Sequence, residues 1–375
     1  MKRPRLFTSG ADARERKVLD RLQAQLSDLA EQVARQPTAK DLRELRQAVR
    51  SLSAQSDRDD PRTFETLDQI TAGGRPVIVG PWTGEVGFEL LYWIPFLEWV
   101  RSRWDVRARE IVISRGGVES WYGTAPEAYV DALSLVSADE FRSATSDEKR
   151  KQRRIGSFDE RIVAAAAQQR GFGDVAILHP GLMYRMFAPY WSDEAGYARI
   201  DQFTRYRRLE PPLADRLDGL PHDYVAVRFY FSSSFPATPE NQAFARTAIA
   251  SLAERTTVVL LNPGFRVDDH DDLPPSAAGR IVTIADRMTP ARNLAVQSAV
   301  IAGARAFVGT YGGYSYLAPL YGVPAVAFYS KRTFKPQHLH AAERAFAGIG
   351  AAALVPLDVA CAPLVQLALG ALATT

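Results

Sequence analysis

The chain has 375 residues, of which 46% are hydrophobic and 24% charged, and is long enough for two ordinary cores. Its 46 basic and 43 acidic side chains leave a formal net charge of +3, too small to predict nucleic acid as a partner. Its single cysteine, Cys361, excludes an internal disulfide and a multi-cysteine metal site. Neither a signal-peptide pattern nor an apolar run of about eighteen residues is found, so we expect a cytoplasmic protein without a membrane span; peripheral association with the inner face of the membrane stays open.

The first 60 residues are predicted to be a helical segment followed by a charged linker. Their apolar residues recur at alternating spacings of three and four, at Leu19, Leu22, Leu26, Leu29 and Val33, and again at Leu42, Leu45, Val49 and Leu52. Pro37 separates the two runs. Such a narrow apolar stripe is typical of a coiled coil that binds a second copy or a partner protein. A helical hairpin on the chain's own surface is the alternative.

Strand and helix patterns alternate over residues 61–215. Short apolar runs predict buried strands at Pro76–Gly80, Glu110–Ser114 and Val175–Leu178. Stretches of helical length lie between them, at Val86–Arg101 and Phe158–Gln169. This alternation is typical of an α/β domain with a parallel sheet. The proline-rich stretch from Pro211 to Asp223 is the predicted interdomain linker.

A second alternating region covers residues 216–375. Its predicted strands are Tyr224–Phe229, Thr257–Leu261, Arg280–Ile284, Ala306–Gly309 and Ala325–Phe328. Thr238 and Pro239 have the residue types of a helix N-cap and first helical position, and further helices are predicted at Ala291–Ala302 and Ser315–Tyr321. The predicted fold is therefore α/β, with two doubly wound Rossmann-like domains, 61–215 and 216–375, after the coiled-coil segment 1–60.

A glycine turn joins the strand that ends at Gly309 to the following helix. Gly312 and Gly313 have no Cβ, so the backbone can approach a ligand closely there. The first N–H groups of a helix lack partners within it, and together with the helix dipole they favour an anion such as a phosphate. Thr310 and Ser315 can add hydroxyl donors. A tight turn that needs glycine only for its geometry is the alternative.

The wider string around this turn resembles the donor-site element of GT-B glycosyltransferases, nearest to the heptosyltransferase-like and fucosyltransferase-like groups. The matching parts are Val308-Gly309, Gly312-Gly313-Tyr314-Ser315, Leu317-Ala318 and Gly322-Val323-Pro324. The resemblance implies a GT-B fold, with an acceptor domain at 61–215 and a donor domain at 216–375. It also implies a nucleotide diphosphate sugar as donor substrate, without a cofactor or a bound metal. Thr310-Tyr311 replaces the acidic residue usual in heptosyltransferases, so a heptose donor is not supported.

The donor is predicted to contact eight residues: Arg228, Asn262, Thr310, Gly312, Gly313, Tyr314, Ser315 and Lys331. Arg228 ends a predicted strand, where ligands of open α/β sheets gather, and its planar fork suits a diphosphate. A structural ion pair is the alternative there. By resemblance the loop of Asn262 lies near the nucleoside, although a turn residue fits equally well. Lys331 can add positive charge, with a solvated surface lysine as the alternative.

The general base is predicted in the first domain. By resemblance to inverting GT-B enzymes, Glu85 would take the proton of the acceptor hydroxyl, and Glu89 is the second candidate. Capping or ion pairing are the alternatives. His179, at the end of a predicted strand, is a further candidate base. The alternative is a loop histidine whose hydrogen bonds are satisfied by the protein itself. The aromatic stretch from Met183 to Trp191 predicts either an acceptor platform or core packing.

The predicted activity is transfer of a sugar to a hydroxyl of a glycan, lipid-linked glycan or protein in polysaccharide biosynthesis. A nucleotide-sugar epimerase of the same fold and a non-catalytic coiled-coil scaffold are the alternatives. The acidic run Asp268–Asp272 does not predict a metal site, because consecutive carboxylates do not easily converge on one ion. We predict a solvated loop there.

Overall fold

The computed structural model describes residues 61–145, 152–212, 219–265, 271–272 and 280–374. These residues belong to one compact unit, Ser56–Thr375. The predicted coiled coil, with its pattern from Leu19 to Leu52, lies outside the described residues. Because the two α/β regions share one compact unit, their division into separate domains at residue 215 stays a prediction.

A four-stranded parallel sheet occupies the first region. Its strands are β1 (Val77–Val79), β2 (Glu110–Ser114), β3 (Tyr129–Asp131) and β4 (Ala176–Leu178), in the order β3-β2-β1-β4. The three predicted strands are confirmed. β3 was not predicted, because only three residues pair there and an acidic residue ends the run.

Helices surround this sheet. They are α1 (61–72), α2 (86–101), α3 (Glu119–Tyr122), α4 (Ala132–Leu135), α5 (Ala138–Thr145), α6 (Ser157–Arg170), α7 (Gly181–Trp191) and α8 (Ala198–Gln202), with a 3₁₀ turn at Pro126–Ala128. The aromatic stretch at Met183 forms α7, in which Met183, Met186 and Phe187 are buried. Those three side chains therefore serve core packing, one of the two alternatives that the sequence left open.

Helix α2 contains a π-helical segment. Val86–Phe88 and Ile94–Arg101 are α-helical, and the five residues Glu89–Trp93 between them form the wider turns of a π-helix. All five are buried, Glu89 included. The sequence predicted the extent of this helix but not the π segment.

A six-stranded parallel sheet occupies the second region. Its strands are β5 (Val225–Arg228), β7 (Val258–Leu260), β9 (Ile281–Thr283), β10 (Ala306–Thr310), β11 (Ala325–Tyr329) and β12 (Leu354–Asp358). Their order is β12-β11-β10-β5-β7-β9. Counted from β5, this is the 3-2-1-4-5-6 order of a doubly wound sheet. The chain first winds outward from β5 to β9 and then returns to the opposite side of β5 with β10.

The short strands β6 (Tyr230–Phe231) and β8 (Asp271–Asp272) pair antiparallel beside this sheet. The backbone of Asp271 and Asp272 therefore pairs as a strand, whereas a loop was predicted from the acidic run. The rest of that run lies outside the described residues.

The helices of the second region are α9 (Pro239–Ala253), α10 (Asn293–Gly303), α11 (Gly313–Leu320), α12 (Pro336–Gly348) and α13 (Ala362–Thr374), with 3₁₀ turns at Ala285–Arg287 and Pro290–Arg292. The Thr238 side chain accepts a hydrogen bond from the Asn241 N–H, so the predicted N-cap of α9 is confirmed. Within the described ranges, none of the helices is long and apolar enough to cross a membrane.

One continuous apolar core links the two sheets. It extends from Leu67 through the buried rings of Trp82 and Trp93 to Leu317 and Phe346. Two smaller clusters cover the outer faces, one between β5 and α9 and one between β1 and α6. The shared core fixes the carboxyl ends of both sheets relative to each other.

Candidate functional site

The strand order of the six-stranded sheet reverses between β5 and β10. The two strands are neighbours in register, with Arg228 opposite Gly309, and Thr310 is the last residue of β10. In open α/β sheets the ligand crevice lies at the carboxyl ends of the strands where the order reverses. Arg228, Thr310 and the glycine turn therefore converge at the position where this fold binds ligands.

Arg228 is buried at this point, with 4% of its surface exposed. Its guanidinium carbon lies 4.2 Å from the centre of the Tyr314 ring and 5.8 Å from that of Tyr230. Its Nη1 donates a hydrogen bond to Oε1 of Gln297. The position of the guanidinium over the Tyr314 ring is a cation–π contact, which restrains the planar fork.

The hydroxyl groups of the turn bond to the protein's own backbone. Thr310 Oγ1 donates to Tyr230 O at 2.7 Å and accepts from the Tyr230 N–H at 3.0 Å. Ser315 Oγ donates to Gly312 O at 2.7 Å and accepts from the Gly312 N–H at 3.1 Å. These bonds shape the turn, and α11 begins at Gly313, two residues before the predicted start. Phosphate binding by Thr310 and Ser315 stays a prediction.

Protein atoms occupy the space beside both glycines of the turn. A Cβ on Gly312 would overlap the hydroxyl of Tyr230, and one on Gly313 would lie 2.8 Å from both the amide nitrogen of Gly87 and Cβ of Val86. The absence of side chains therefore lets α11 pack on Tyr230 and on the start of α2. This contact supports the alternative in which glycine serves the turn's packing, and a phosphate at Gly312 and Gly313 stays a prediction.

Glu85 is exposed and occupies the N-cap position of α2, with an extended backbone and no side-chain capping bond. It directly precedes Val86, the residue that contacts Gly313. The predicted base is therefore one residue away from the contact between the two helix starts. Its catalytic role stays a prediction.

His179 follows β4 and is buried. Its Nδ1 accepts the Gly181 N–H at 3.0 Å, and its Nε2 lies 3.5 Å from Oδ2 of Asp159. Both ring nitrogens thus face protein partners, as in the satisfied loop histidine that was the alternative. A role of His179 as base stays a prediction.

Glu89 is fully buried within the π segment of α2. Its Oε1 accepts from Ser114 Oγ at 2.5 Å and from Tyr122 OH at 2.6 Å, and its Oε2 lies 3.6 Å from Nη1 of Arg115. Burial raises the pKa of Glu89 to about 7, against the lowering effect of Arg115 and of the two hydroxyls. The second base candidate is thus sealed from solvent in this structure.

Asn262 and Lys331 each follow the carboxyl end of a strand of the six-stranded sheet, and β5 and β10 lie between those two strands. Asn262 comes after β7 and is 9% exposed, with its Nδ2 3.5 Å from Phe229 O. Lys331 comes after β11; its side chain is exposed and its backbone N–H donates to Ser234 O. The sequence placed both at carboxyl ends of strands, and their contacts with a donor stay predictions.

Gln297 is a site residue that was not predicted from the sequence. It is fully buried on α10, a helix that is otherwise mostly apolar, and its amide touches Arg228. A glutamine inside an apolar helix was the available signal, because a buried amide needs hydrogen-bond partners. Among the described residues no group of three or more His, Cys, Asp or Glu side chains is arranged to hold a metal ion. Metal independence of the activity stays a prediction.

No family model matches the chain, and no curated protein sequence matches it significantly. Solved structures do match. The Escherichia coli ADP-heptose lipopolysaccharide heptosyltransferase II shares 14% identity over 80% of this chain and 98% of its own, with a TM-score of 0.41. A family 9 glycosyltransferase from Veillonella parvula shares 12% identity over 79% and 89%, with a TM-score of 0.37.

A third match is the iron-containing dodecameric glycosyltransferase TibC from enterotoxigenic E. coli. It shares 16% identity over 68% of this chain and 58% of its own, with a TM-score of 0.34. These structures are thus glycosyltransferases that this chain is similar to. Because the superpositions are loose, the functional conclusion depends on the residues of the chain itself.

Proposed function

We propose that this protein is a glycosyltransferase that transfers a sugar from a nucleotide diphosphate sugar to an acceptor hydroxyl. The observation that carries the proposal is the buried guanidinium of Arg228 at the strand-order reversal of a doubly wound sheet. It lies beside the glycine turn that opens α11, whose sequence resembles a GT-B donor site. A second α/β sheet meets it there through the start of α2.

The chemistry requires stabilisation of a leaving diphosphate. As the acceptor oxygen bonds to the anomeric carbon, the bond from that carbon to the diphosphate oxygen breaks, and the nucleoside diphosphate leaves with that electron pair. Negative charge therefore grows on the diphosphate in the transition state. Arg228 can donate paired N–H groups to it from a fixed plane, and a preformed cation in a site of low dielectric is an effective stabiliser. The N-terminus of α11 favours charge of the same sign.

The acceptor hydroxyl must also lose a proton. Glu85 is assigned as the general base because its carboxylate is exposed, follows the loop after β1 and lies next to the α2–α11 contact. The proton passes from the acceptor oxygen to the Glu85 carboxylate during attack. His179 and Glu89 are less suited, since the nitrogens of the first face protein partners and the carboxylate of the second is buried.

The remaining assignments follow from the same proposal. The acceptor is a hydroxyl of a glycan, a lipid-linked glycan or a protein, and Thr310-Tyr311 in the turn does not support a heptose as the donor sugar. Asn262 and Lys331 contact the nucleoside part of the donor. The segment 1–60 binds a second copy or a partner protein, and the protein acts in the cytoplasm without a cofactor or metal ion.

A binding screen tests the donor site. GDP, UDP, dTDP and CDP are compared by thermal shift and then by calorimetry, because a ligand that binds the folded state raises its stability. We expect one of them to bind, and Arg228→Lys to weaken that binding about tenfold or more, since lysine keeps the charge but loses the fork. Arg344→Lys is the control, because Arg344 also stacks on a tyrosine ring, that of Tyr197, at 5.1 Å.

The outcomes separate the candidate functions. Binding of none of the four diphosphates overturns the proposal. If one binds, transfer of labelled sugar to acceptor pools is compared with a reaction that lacks any acceptor. Conversion of the donor sugar without acceptor indicates an epimerase, and absence of product with every donor indicates a scaffold.

A further inference from the structure

We propose that Gln297 is a positioning residue that orients Arg228 for the donor diphosphate. The inference rests on the proposed function, because it assigns Gln297 to the same site. Gln297 lies on α10, is completely buried and accepts a hydrogen bond from Nη1 of Arg228. It acts through Arg228 and is not itself assigned a contact with the substrate.

The contacts of Gln297 fix the orientation of its amide. Its Nε2 donates to the backbone carbonyl of Asn293 at 3.1 Å, one helical turn earlier. A carbonyl can only accept, so the NH₂ end must face Asn293 and the oxygen must face Arg228. Asn293 is held in turn, because its Nδ2 donates to Pro290 O at 2.6 Å. The orientation of the Gln297 amide thus depends on Asn293, which is in turn held by the 3₁₀ turn Pro290–Arg292.

Two of the contacts of Arg228 restrain its guanidinium. Tyr314 lies under it, with the ring centre 4.2 Å from the guanidinium carbon. The hydrogen bond to Gln297 holds Nη1. A planar fork restrained in this way is prepared for paired hydrogen bonds with phosphate oxygens, and less side-chain freedom is lost on binding.

The neutral amide explains why glutamine suits this position. A carboxylate would make a stronger bond to Arg228 but would cancel the field of the guanidinium at the diphosphate. A hydrophobic side chain would leave the charge but remove the restraint on rotation. Gln297 orients the cation without neutralising it. The partner that α10 offers to Arg228 is therefore a neutral amide and not a carboxylate.

Two variants test this assignment. Gln297→Met keeps the length of the side chain and removes the acceptor, and we expect it to weaken binding of the matching nucleoside diphosphate about five- to tenfold. Gln297→Glu keeps an acceptor and the volume, and we expect at least as large a loss. The nucleoside without phosphates serves as a second ligand, and its affinity should stay unchanged in both variants. If Gln297 had a purely structural role, its replacement would lower the affinity for both ligands or for neither.

Ser298→Ala is the matched control. Ser298 is the next residue on α10, is equally buried and accepts a hydrogen bond from Trp121 Nε1 at 2.9 Å. We expect its loss to lower the melting temperature but to leave the ratio of diphosphate to nucleoside affinity unchanged. In an Arg228→Lys background, Gln297→Met should have no further effect on diphosphate binding, because coupled residues are not additive.

The results distinguish the two levels of the proposal. If the wild-type protein binds no nucleoside diphosphate, the proposed function fails and the role of Gln297 fails with it. If the wild type binds one and Gln297→Glu binds it equally well, only the role of Gln297 is overturned. Should Gln297→Met not fold, Gln297→Glu decides alone, since it retains the bond to Arg228. If the folded variants bind the diphosphate and the nucleoside with equally reduced affinity, the role of Gln297 is likewise overturned.

Discussion

Gly313 and Gly87 are in direct contact, so that a Cβ on Gly313 would lie 2.8 Å from the amide nitrogen of Gly87. The first belongs to the start of α11 after the six-stranded sheet, and the second to the start of α2 after the four-stranded sheet. Two helix N-termini therefore meet at Gly313, where Val86 and Gly87 leave no room for a side chain. The predicted phosphate-binding turn and the loop of the predicted base thus share one contact.

Replacement of Gly313 by valine should damage this contact. Its side chain would collide with Val86 as well as with Gly87, and overpacking of this kind costs about 1–3 kcal/mol. We expect Gly313→Val to lower the free energy of unfolding by that amount in urea titrations and to abolish binding of the nucleoside diphosphate. Unchanged binding by a folded variant would contradict the predicted phosphate-binding turn.

Gly348→Ala serves as the control for that variant. Gly348 is the last residue of α12, and a Cβ there meets no atom within 4 Å. Alanine at an unstrained helical position is expected to stabilise by about 0.4–1 kcal/mol, mainly by restricting the unfolded chain. A loss of stability in Gly348→Ala would show that glycine substitutions in this protein act by some route other than local contact.

Glu89 should make the stability of the protein depend on pH. Burial raises its pKa from 4.5 to about 7 in the folded state, so the folded protein holds this proton more tightly than the unfolded chain. The contribution of Glu89 to the free energy of unfolding is fully present below pH 4.5 and is lost as the pH rises to about 7. In the wild type this loss lowers the free energy of unfolding by about 3 kcal/mol between pH 4.5 and 8. Glu89→Gln cannot ionise and should therefore not show this decrease.

Urea unfolding of wild type and Glu89→Gln at several pH values measures this difference. Burial also raises the pKa of Asp131, to about 6, so a smaller dependence of the same sign should remain in the variant. Identical pH profiles in the two proteins would mean that the Glu89 carboxylate titrates normally despite its burial.

Glu85→Gln tests the general base. We expect sugar transfer to fall about 100-fold or more, because a positioned base contributes on that scale, while donor affinity stays within twofold. Glu240→Gln is the matched control, since Glu240 is likewise exposed at the start of a helix, α9. Initial rates with saturating donor give the comparison. Transfer at the full rate by Glu85→Gln would exclude this residue as the base.

Thr238 should contribute to stability through its cap. Its hydroxyl accepts the N–H of Asn241 at 3.3 Å at the start of α9. Thr238→Ala is expected to lower the free energy of unfolding by about 1 kcal/mol, and Thr238→Ser to leave it nearly unchanged. Thermal unfolding of both variants makes the comparison, and an equal loss in the two would show that the methyl group rather than the hydroxyl matters.

The periodic elements of the fold were predictable from local sequence. Buried parallel strands are continuous apolar runs, so β2 and β10 could be read directly, and Thr238 with Pro239 marked the start of α9. The short strand β3 gave too little signal. The π segment at Glu89–Trp93 has the same apolar residues as an ordinary buried helix, so nothing in its composition distinguishes it.

The candidate site was predictable only as positions along the chain. That Arg228 ends a strand follows from the sequence, but its stacking on Tyr314 and its bond to Gln297 join residues far apart in the chain. The two glycines show the same limit, because their neighbours Tyr230 and Gly87 are set by packing between elements. The local sequence pattern identifies candidate site residues, and the tertiary structure determines which residues they contact.

The apolar core that continues from Leu67 to Phe346 makes the two halves of this chain interdependent. Cutting the chain between residues 212 and 219 and expressing either half alone would separate the rings of Phe88 and Tyr92 from the His338 ring that they pack against. Each fragment is expected to aggregate, and the pair to become soluble only when produced together. Evolution could therefore not exchange one half for that of a distant relative without rebuilding the surface shared with the other.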